Sequence, residues 1–381
     1  MIIRNRQNPN MKATGHTVII RTMLAAALTA SAALTGCSGS PSSAQEVSDR
    51  NRDAQEAAAY NPYATTTRAA IDSWRPETPG TVEAYFPEVV KETEVFAIKG
   101  ADTLRLDRYF IPAAADSIPS PVVVYVFGGG FRFGSRDEQM YTSYFEFLAR
   151  NGYTVVSTDY RPMLGRISFE KRPSPVEFMD ILQGAIDTAV VDLYDATEYI
   201  VRQEREWNID PEKIIISGSS AGAITVLQAE YYRCNGHGLA SHLPEGFSYA
   251  GVVSFAGAIS EKKRLEWQDA PCPIMLFHGN ADGIVPFRKA HIPVLGGLWG
   301  SESVAQSLDR LDASCWLYEI DNAGHEIASL PMTRNLYDIA GFLSRQVLGA
   351  RPLSVHTLES VPGAPDVKKN FSVLDYIRNN T

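Results

Sequence analysis

Cysteine is scarce in this chain, with four in 381 residues, at positions 37, 234, 272 and 315. No Cys-x-x-Cys pair occurs, so neither a disulfide framework nor a zinc ribbon can be read from it. There is no Gly-x-Gly-x-x-Gly and no P-loop lysine pattern, which argues against nucleotide as ligand. No repeat recurs at 20–50 residues, so a solenoid is excluded. Basic residues are outnumbered, 35 against 44 acids, for a formal charge of -9. That balance argues against nucleic acid as a partner, because phosphate binding needs a basic face. Acids are missing altogether from residues 1–37, while Arg4, Arg6, Lys12 and Arg21 all lie there. The remainder is therefore more acidic still. With 45% hydrophobic and 21% charged residues the composition is that of a globular protein, neither disordered nor collagen-like.

The acid-free front end reads as an export signal. Met23–Leu34 is an apolar run of about 12 residues, too short to span a bilayer but of the length of a signal-peptide core. Met11 offers an alternative start. Leu34-Thr35-Gly36-Cys37 resembles the bacterial lipobox, which implies a lipid on Cys37, a mature chain starting there, and a membrane-anchored protein of the cell envelope. An ordinary cleavage site beside an unmodified cysteine is the alternative. The polar, small-residue stretch that follows reads as a tether. The expected organisation is a signal at 1–36, a flexible tether at 37–80, one catalytic domain at 81–350 and a polar tail at 351–381.

Within that domain, short β-branched runs alternate with longer amphipathic stretches. Val95–Ile98 and Leu104–Ile111 read as a hairpin. Pro121–Phe127, Thr154–Thr158 and Lys213–Ser217 read as strands buried on both faces. Gly251–Phe255, Ile274–His278 and Cys315–Ile320 continue the series. Helices are expected over 141–150, 184–207, 221–230, 303–311 and 336–348, with 161–180 as a loop or partial cover. This alternation predicts an α/β fold with a mainly parallel central sheet flanked by helices.

The strand ending at Ser217 runs into Gly218-Ser219-Ser220-Ala221-Gly222, and a helical pattern begins at once. A Gly-x-Ser-x-Gly in a strand–turn–helix setting marks Ser220 as a candidate nucleophile, with glycine needed on both sides of so tight a turn. His325, in the loop after Cys315–Ile320, is the candidate base, and Asp282, in the loop after Ile274–His278, the candidate acid. Serine, aspartate and histidine then follow one another in three successive strand-end loops. Asp309, Asp312 and Asp321 are weaker candidates for the acid. Gly128-Gly129-Gly130 follows a buried strand, so the N–H groups of Gly129 and Gly130, with that of Ala221, could bind an oxyanion; a phosphate-binding loop is the alternative. Phe131, Phe133, Tyr141 and Tyr144 could line a substrate site or fill the core. Cys234, Cys272 and Cys315 read as buried thiols, and Cys234 with His237 and His242 is too weak a pattern to assign a metal.

FGGGFRFGS, STDYRP, GSSAGA, HGNADGIVP and AGHE together resemble the α/β-hydrolase fold, in its carboxylesterase and hormone-sensitive-lipase-like branches, over roughly 85–350. The resemblance implies a serine carboxylic-ester hydrolase with Ser220, Asp282 and His325 as triad and Gly129, Gly130 and Ala221 as oxyanion donors, needing neither metal nor organic cofactor. In an exported lipoprotein it further implies ester substrates such as acetylated or feruloylated polysaccharide. A serine peptidase of the prolyl-peptidase type and a non-catalytic binding lipoprotein are the alternatives. One position departs from the pattern. The histidine that usually precedes the three glycines is Phe127, so the loop must be braced in another way.

Overall fold

The computed structural model describes residues 2–4, 87–112, 117–168, 173–292, 295–360, 366, 367, 369 and 371–380. Cys37 and the tether lie outside these residues. The strands are β1 (Ile2–Arg4), β2 (Val90–Lys99), β3 (Asp102–Phe110), β4 (Ser120–Val126), β5 (Thr154–Thr158), β6 (Ile209–Ser219), β7 (Gly251–Phe255), β8 (Ala258–Glu261), β9 (Ile274–Gly279), β10 (Lys289–Ile292), β11 (Gly296–Gly300), β12 (Cys315–Ile320) and β13 (Ser354–Glu359). The principal helices are α1 (Gln139–Arg150), α2 (Pro175–Arg202), α3 (Ala221–Cys234), α4 (Ser301–Asp309), α5 (Leu336–Phe342) and α6 (Val373–Asn380).

Ten strands form one sheet in the order β1-β13-β12-β9-β7-β6-β4-β5-β3-β2. Pairing is parallel from β13 through to β5, and antiparallel at β1 and at the β2–β3 hairpin. The unbroken apolar runs have their cause here. Val122–Val126, Ile214–Ile216 and Ile274–Phe277 are fully buried, because helical crossovers cover a parallel sheet on both faces. Helix α3 packs on β4, β6 and β7, α1 on β3 and β5, and α4 on β9 and β12.

The chain leaves β4 for β5 on one side and then returns to place β6 on the other. This reversal opens a crevice between the carboxyl ends of β4 and β6, the place where ligands bind in open α/β sheets. Gly128–Gly130 follow one of these strands and Ser220 follows the other.

Several elements differ from the reading of the sequence. Helix α2 begins at Pro175, not at 184, inside the stretch expected to be a loop, and breaks at Gln203. A second, three-stranded antiparallel sheet, β10-β11-β8, was not anticipated. The domain does not stop at 350. Strand β13 extends the main sheet beside β12, and the α6 segment returns to the molecule so that Tyr376 is buried, at 5% exposure.

Candidate active site

Ser220 stands between β6 and α3 with φ 52° and ψ -114°, a backbone conformation that L-residues rarely adopt. Its neighbours enforce it. A Cβ on Gly218 would lie 2.3 Å from the Gly222 carbonyl oxygen, and one on Gly222 would lie 2.0 Å from that of Val126. The strand and helix backbones therefore touch across the turn, and only glycine fits at either position. Ser220 N–H donates to the Phe255 carbonyl at 2.8 Å, which ties the turn to β7.

Ser220 Oγ lies 2.8 Å from His325 Nε2, and His325 Nδ1 lies 2.7 Å from Asp282 Oδ2. The three sequence-designated residues thus meet in one hydrogen-bonded chain. The loops carrying Asp282 and His325 are knit together by one backbone bond and one bond to a side chain. Ala281 N–H donates to the Ala323 carbonyl at 3.0 Å, and Asn322 N–H to Asn280 Oδ1 at 2.9 Å. Ser219 Oγ donates to the Ala328 carbonyl at 2.7 Å, which ties the nucleophile turn to the segment behind His325.

Asp282 is 4% exposed. Burial alone would push its carboxyl up, but hydrogen bonds from His278 and His325 outweigh burial and hold it well below the usual carboxylate range. Its other oxygen, Oδ1, accepts the N–H groups of Ile284 and Val285 at 2.7 and 3.0 Å. An ionised carboxylate so held fixes the imidazole's orientation and stabilises its cation. His278, fully buried at the end of β9, has Nε2 3.3 Å from Asp282 Oδ2 and Nδ1 2.8 Å from Ser301 Oγ. The sequence reading noted His278 but gave it no part; its contact with the acid depends on a turn that sequence spacing does not reveal.

The glycine loop lies against the nucleophile. A Cβ on Gly128 would come within 3.4 Å of Ser220 Cβ, and one on Gly129 would strike the Phe133 carbonyl oxygen at 2.0 Å. Gly129 and Gly130 have φ of 108° and 62°. Together with Ala221, the first residue of α3, they border a cleft of about 670 Å³ that Ser220 and His325 also line. Phe131, Phe133 and Tyr141 line it too, joined by Met140, Ile284 and Tyr376. Tyr144 does not. It is fully buried behind the sheet and pairs with Ser217.

The remaining candidates have other partners. Asp321 binds Lys369 at 2.6 Å and Asn280 at 2.8 Å rather than an imidazole. Asp309 ends α4 and Asp312 lies in the turn after it. Cys234 donates to the buried Glu230, His237 stacks on Tyr232 at 3.8 Å, and His242 pairs with Asp195 at 2.8 Å, so these three do not converge. Cys315 and Cys234 are buried free thiols, and Cys272 is a half-buried one.

Comparison with known proteins agrees with this architecture. The BD-FAE family model matches residues 106–260. Esterase B1 of Culex pipiens is 27% identical over 125 residues, covering 33% of this chain and 21% of that protein. Fumonisin B1 esterase of Sphingopyxis macrogoltabida is 32% identical over 104 residues, covering 27% and 18%. The chain thus spans about a fifth of the length of either relative. Among solved structures, an esterase of Thermogutta terrifontis with propionate bound superposes with a TM-score of 0.51 at 19% identity, over 71% of this chain and 96% of that one. Its sheet order, its strand–serine–helix turn and its superposition on a solved esterase give this chain the α/β-hydrolase fold, and the proteins it resembles in sequence are esterases.

Proposed function

We propose that this protein is a serine carboxylic-ester hydrolase working through an acyl-enzyme. The observation that carries the reading is the unbroken chain from Ser220 Oγ through His325 to Asp282, at 2.8 and 2.7 Å, opening on a cleft. His325 Nε2 takes the hydroxyl proton as Oγ attacks the ester carbonyl. Asp282 keeps the proton of Nδ1 directed at itself, so Nε2 is the nitrogen free to act as base. Charge developing on the carbonyl oxygen is met by the N–H groups of Gly129, Gly130 and Ala221, where the positive end of α3 adds its field. His325 then returns the proton to the leaving alcohol, and water repeats the sequence on the acyl-enzyme.

Two finer features belong to the same proposal. The aromatic and apolar lining of the cleft suits small or aromatic acyl groups, and we place the substrate among acylated polysaccharides met outside the cytoplasm. The lipobox-like LTGC sequence supports lipidation of Cys37 and anchoring to an envelope membrane. The deciding experiment compares wild type with Ser220→Ala on p-nitrophenyl esters of graded chain length, acetylated xylan and aminoacyl anilides. Ester turnover and fluorophosphonate labelling should both vanish in the variant while its melting temperature holds. Wild-type turnover by Ser220→Ala would end the reading, and preference for anilides over esters would redirect it to a peptidase.

A further inference from the structure

Phe127 stands where the family resemblance leads one to expect a histidine, and the structure holds a brace there that uses other residues. Phe127 follows β4 and is 2% exposed. Its ring stacks on that of Tyr160, with centroids 4.4 Å apart and planes inclined by 27°. The Tyr160 hydroxyl donates to the Gly128 carbonyl at 3.2 Å. The same ring meets Phe131 edge-on at 6.1 Å. One side chain thus touches the residue before the glycines, the first glycine and the residue after them.

Two further observations show that the loop is held under constraint. Phe131 has φ 59°, a conformation that a bulky side chain adopts only where its surroundings over-determine it. Its surroundings do so, since it is 1% exposed and its carbonyl accepts from Leu164 N–H at 2.9 Å. Tyr160 itself is anchored on both sides. Asp159 pairs with Arg136 at 3.1 Å, and the Arg161 backbone and guanidinium both bind the fully buried Asp192 at 2.9 Å.

The geometry points to Tyr160 as a positioning residue that, stacked on Phe127, fixes the Gly128–Gly130 loop in its oxyanion-binding shape. This deepens the esterase reading and rests on it. A phenol that donates to the Gly128 carbonyl prevents that peptide from rotating, so the N–H groups that follow stay aimed at the developing charge. An imidazole in the usual place would change its charge across neutral pH. Burial pushes the Tyr160 phenol far up, so this donor stays neutral throughout the working range.

The test is Tyr160→Phe, which removes one hydroxyl and keeps the stack. Losing a single neutral hydrogen bond should lower kcat about fivefold to tenfold with KM within about twofold. The Ki of a trifluoromethyl ketone, which forms a tetrahedral adduct on serine, should rise by the same factor, because such a ligand samples the oxyanion site as the transition state does. Phe127→Leu, which keeps the volume apolar and removes the stack, should move kcat and Ki together as well; it carries the test if Tyr160→Phe does not fold. Unchanged kcat and Ki, or a loss confined to KM, would overturn the assignment. If wild type hydrolyses no ester at all, the esterase reading fails first; if it does and both variants match it, only Tyr160 is wrongly placed.

Discussion

Asp282 shows how much a single side chain must do at once. The N–H groups of Ile284 and Val285 converge on one of its oxygens and His325 Nδ1 on the other, with His278 Nε2 shared between that second oxygen at 3.3 Å and the Val285 carbonyl at 3.2 Å. Its carboxyl is held below the ordinary range, so in the folded state it stays ionised where an unfolded aspartate takes up a proton. The stability it contributes is complete above the unfolded value, about pH 4, and drains away as pH falls through the lower folded value. Asp282→Asn should therefore flatten the acid limb of stability: urea midpoints measured between about pH 5 and 2.5 should fall less steeply than in wild type. At neutral pH the same variant should lose roughly 10⁴ in kcat through a misdirected imidazole. Retention of most activity would move the acid's role elsewhere. The meeting of Ser220, Asp282 and His325 is legible in the sequence because each follows a strand of the main sheet and is the residue type its proposed role demands. Tyr160 and Tyr376 are not. An aromatic ring has no signature of its own, and its work here is set by neighbours from other elements.

At the scale of elements, the turn between β6 and α3 is a tight joint in which backbone meets backbone. Gly222→Ala would drive a methyl group to 2.0 Å from the Val126 carbonyl oxygen, in a place bounded by backbone that has little room to yield. Overpacking of this kind should cost about 3 kcal/mol, read as a lower urea midpoint, and should lower ester turnover as the helix is displaced from the sheet. A variant with wild-type stability would mean that the turn is looser than its contacts indicate. The buried parallel strands were read within a few residues because their apolar runs are unbroken. The start of α2 was missed although its signal was present: Ser174-Pro175-Val176-Glu177 is a capping box with proline in the first turn, and both halves of the box are formed. Strand β13 was missed for a different reason. Only Val355 and Thr357 of its six residues are buried, and nothing in SVHTLE announces that β12 is its partner.

Over the whole molecule, the site lies where the strand order reverses, so the sheet itself sets the distance between glycine loop and nucleophile. The front end adds a separate expectation. Cys37→Ser should abolish acyl labelling in cells and leave the protein uncleaved or soluble, whereas unchanged labelling would remove the anchor from the account. The architecture also scatters the reacting groups along the chain. His325, the proposed base, stands 105 residues beyond Ser220 and 43 beyond Asp282. A nascent chain that has exposed Ser220 alone presents an ordinary alcohol. On the proposed mechanism, reactivity arises only when β9, β12 and their loops have closed onto β6, so catalytic competence would report assembly of these strands of the sheet. On that mechanism, recovery of fluorophosphonate labelling during refolding is a direct clock for the final assembly step.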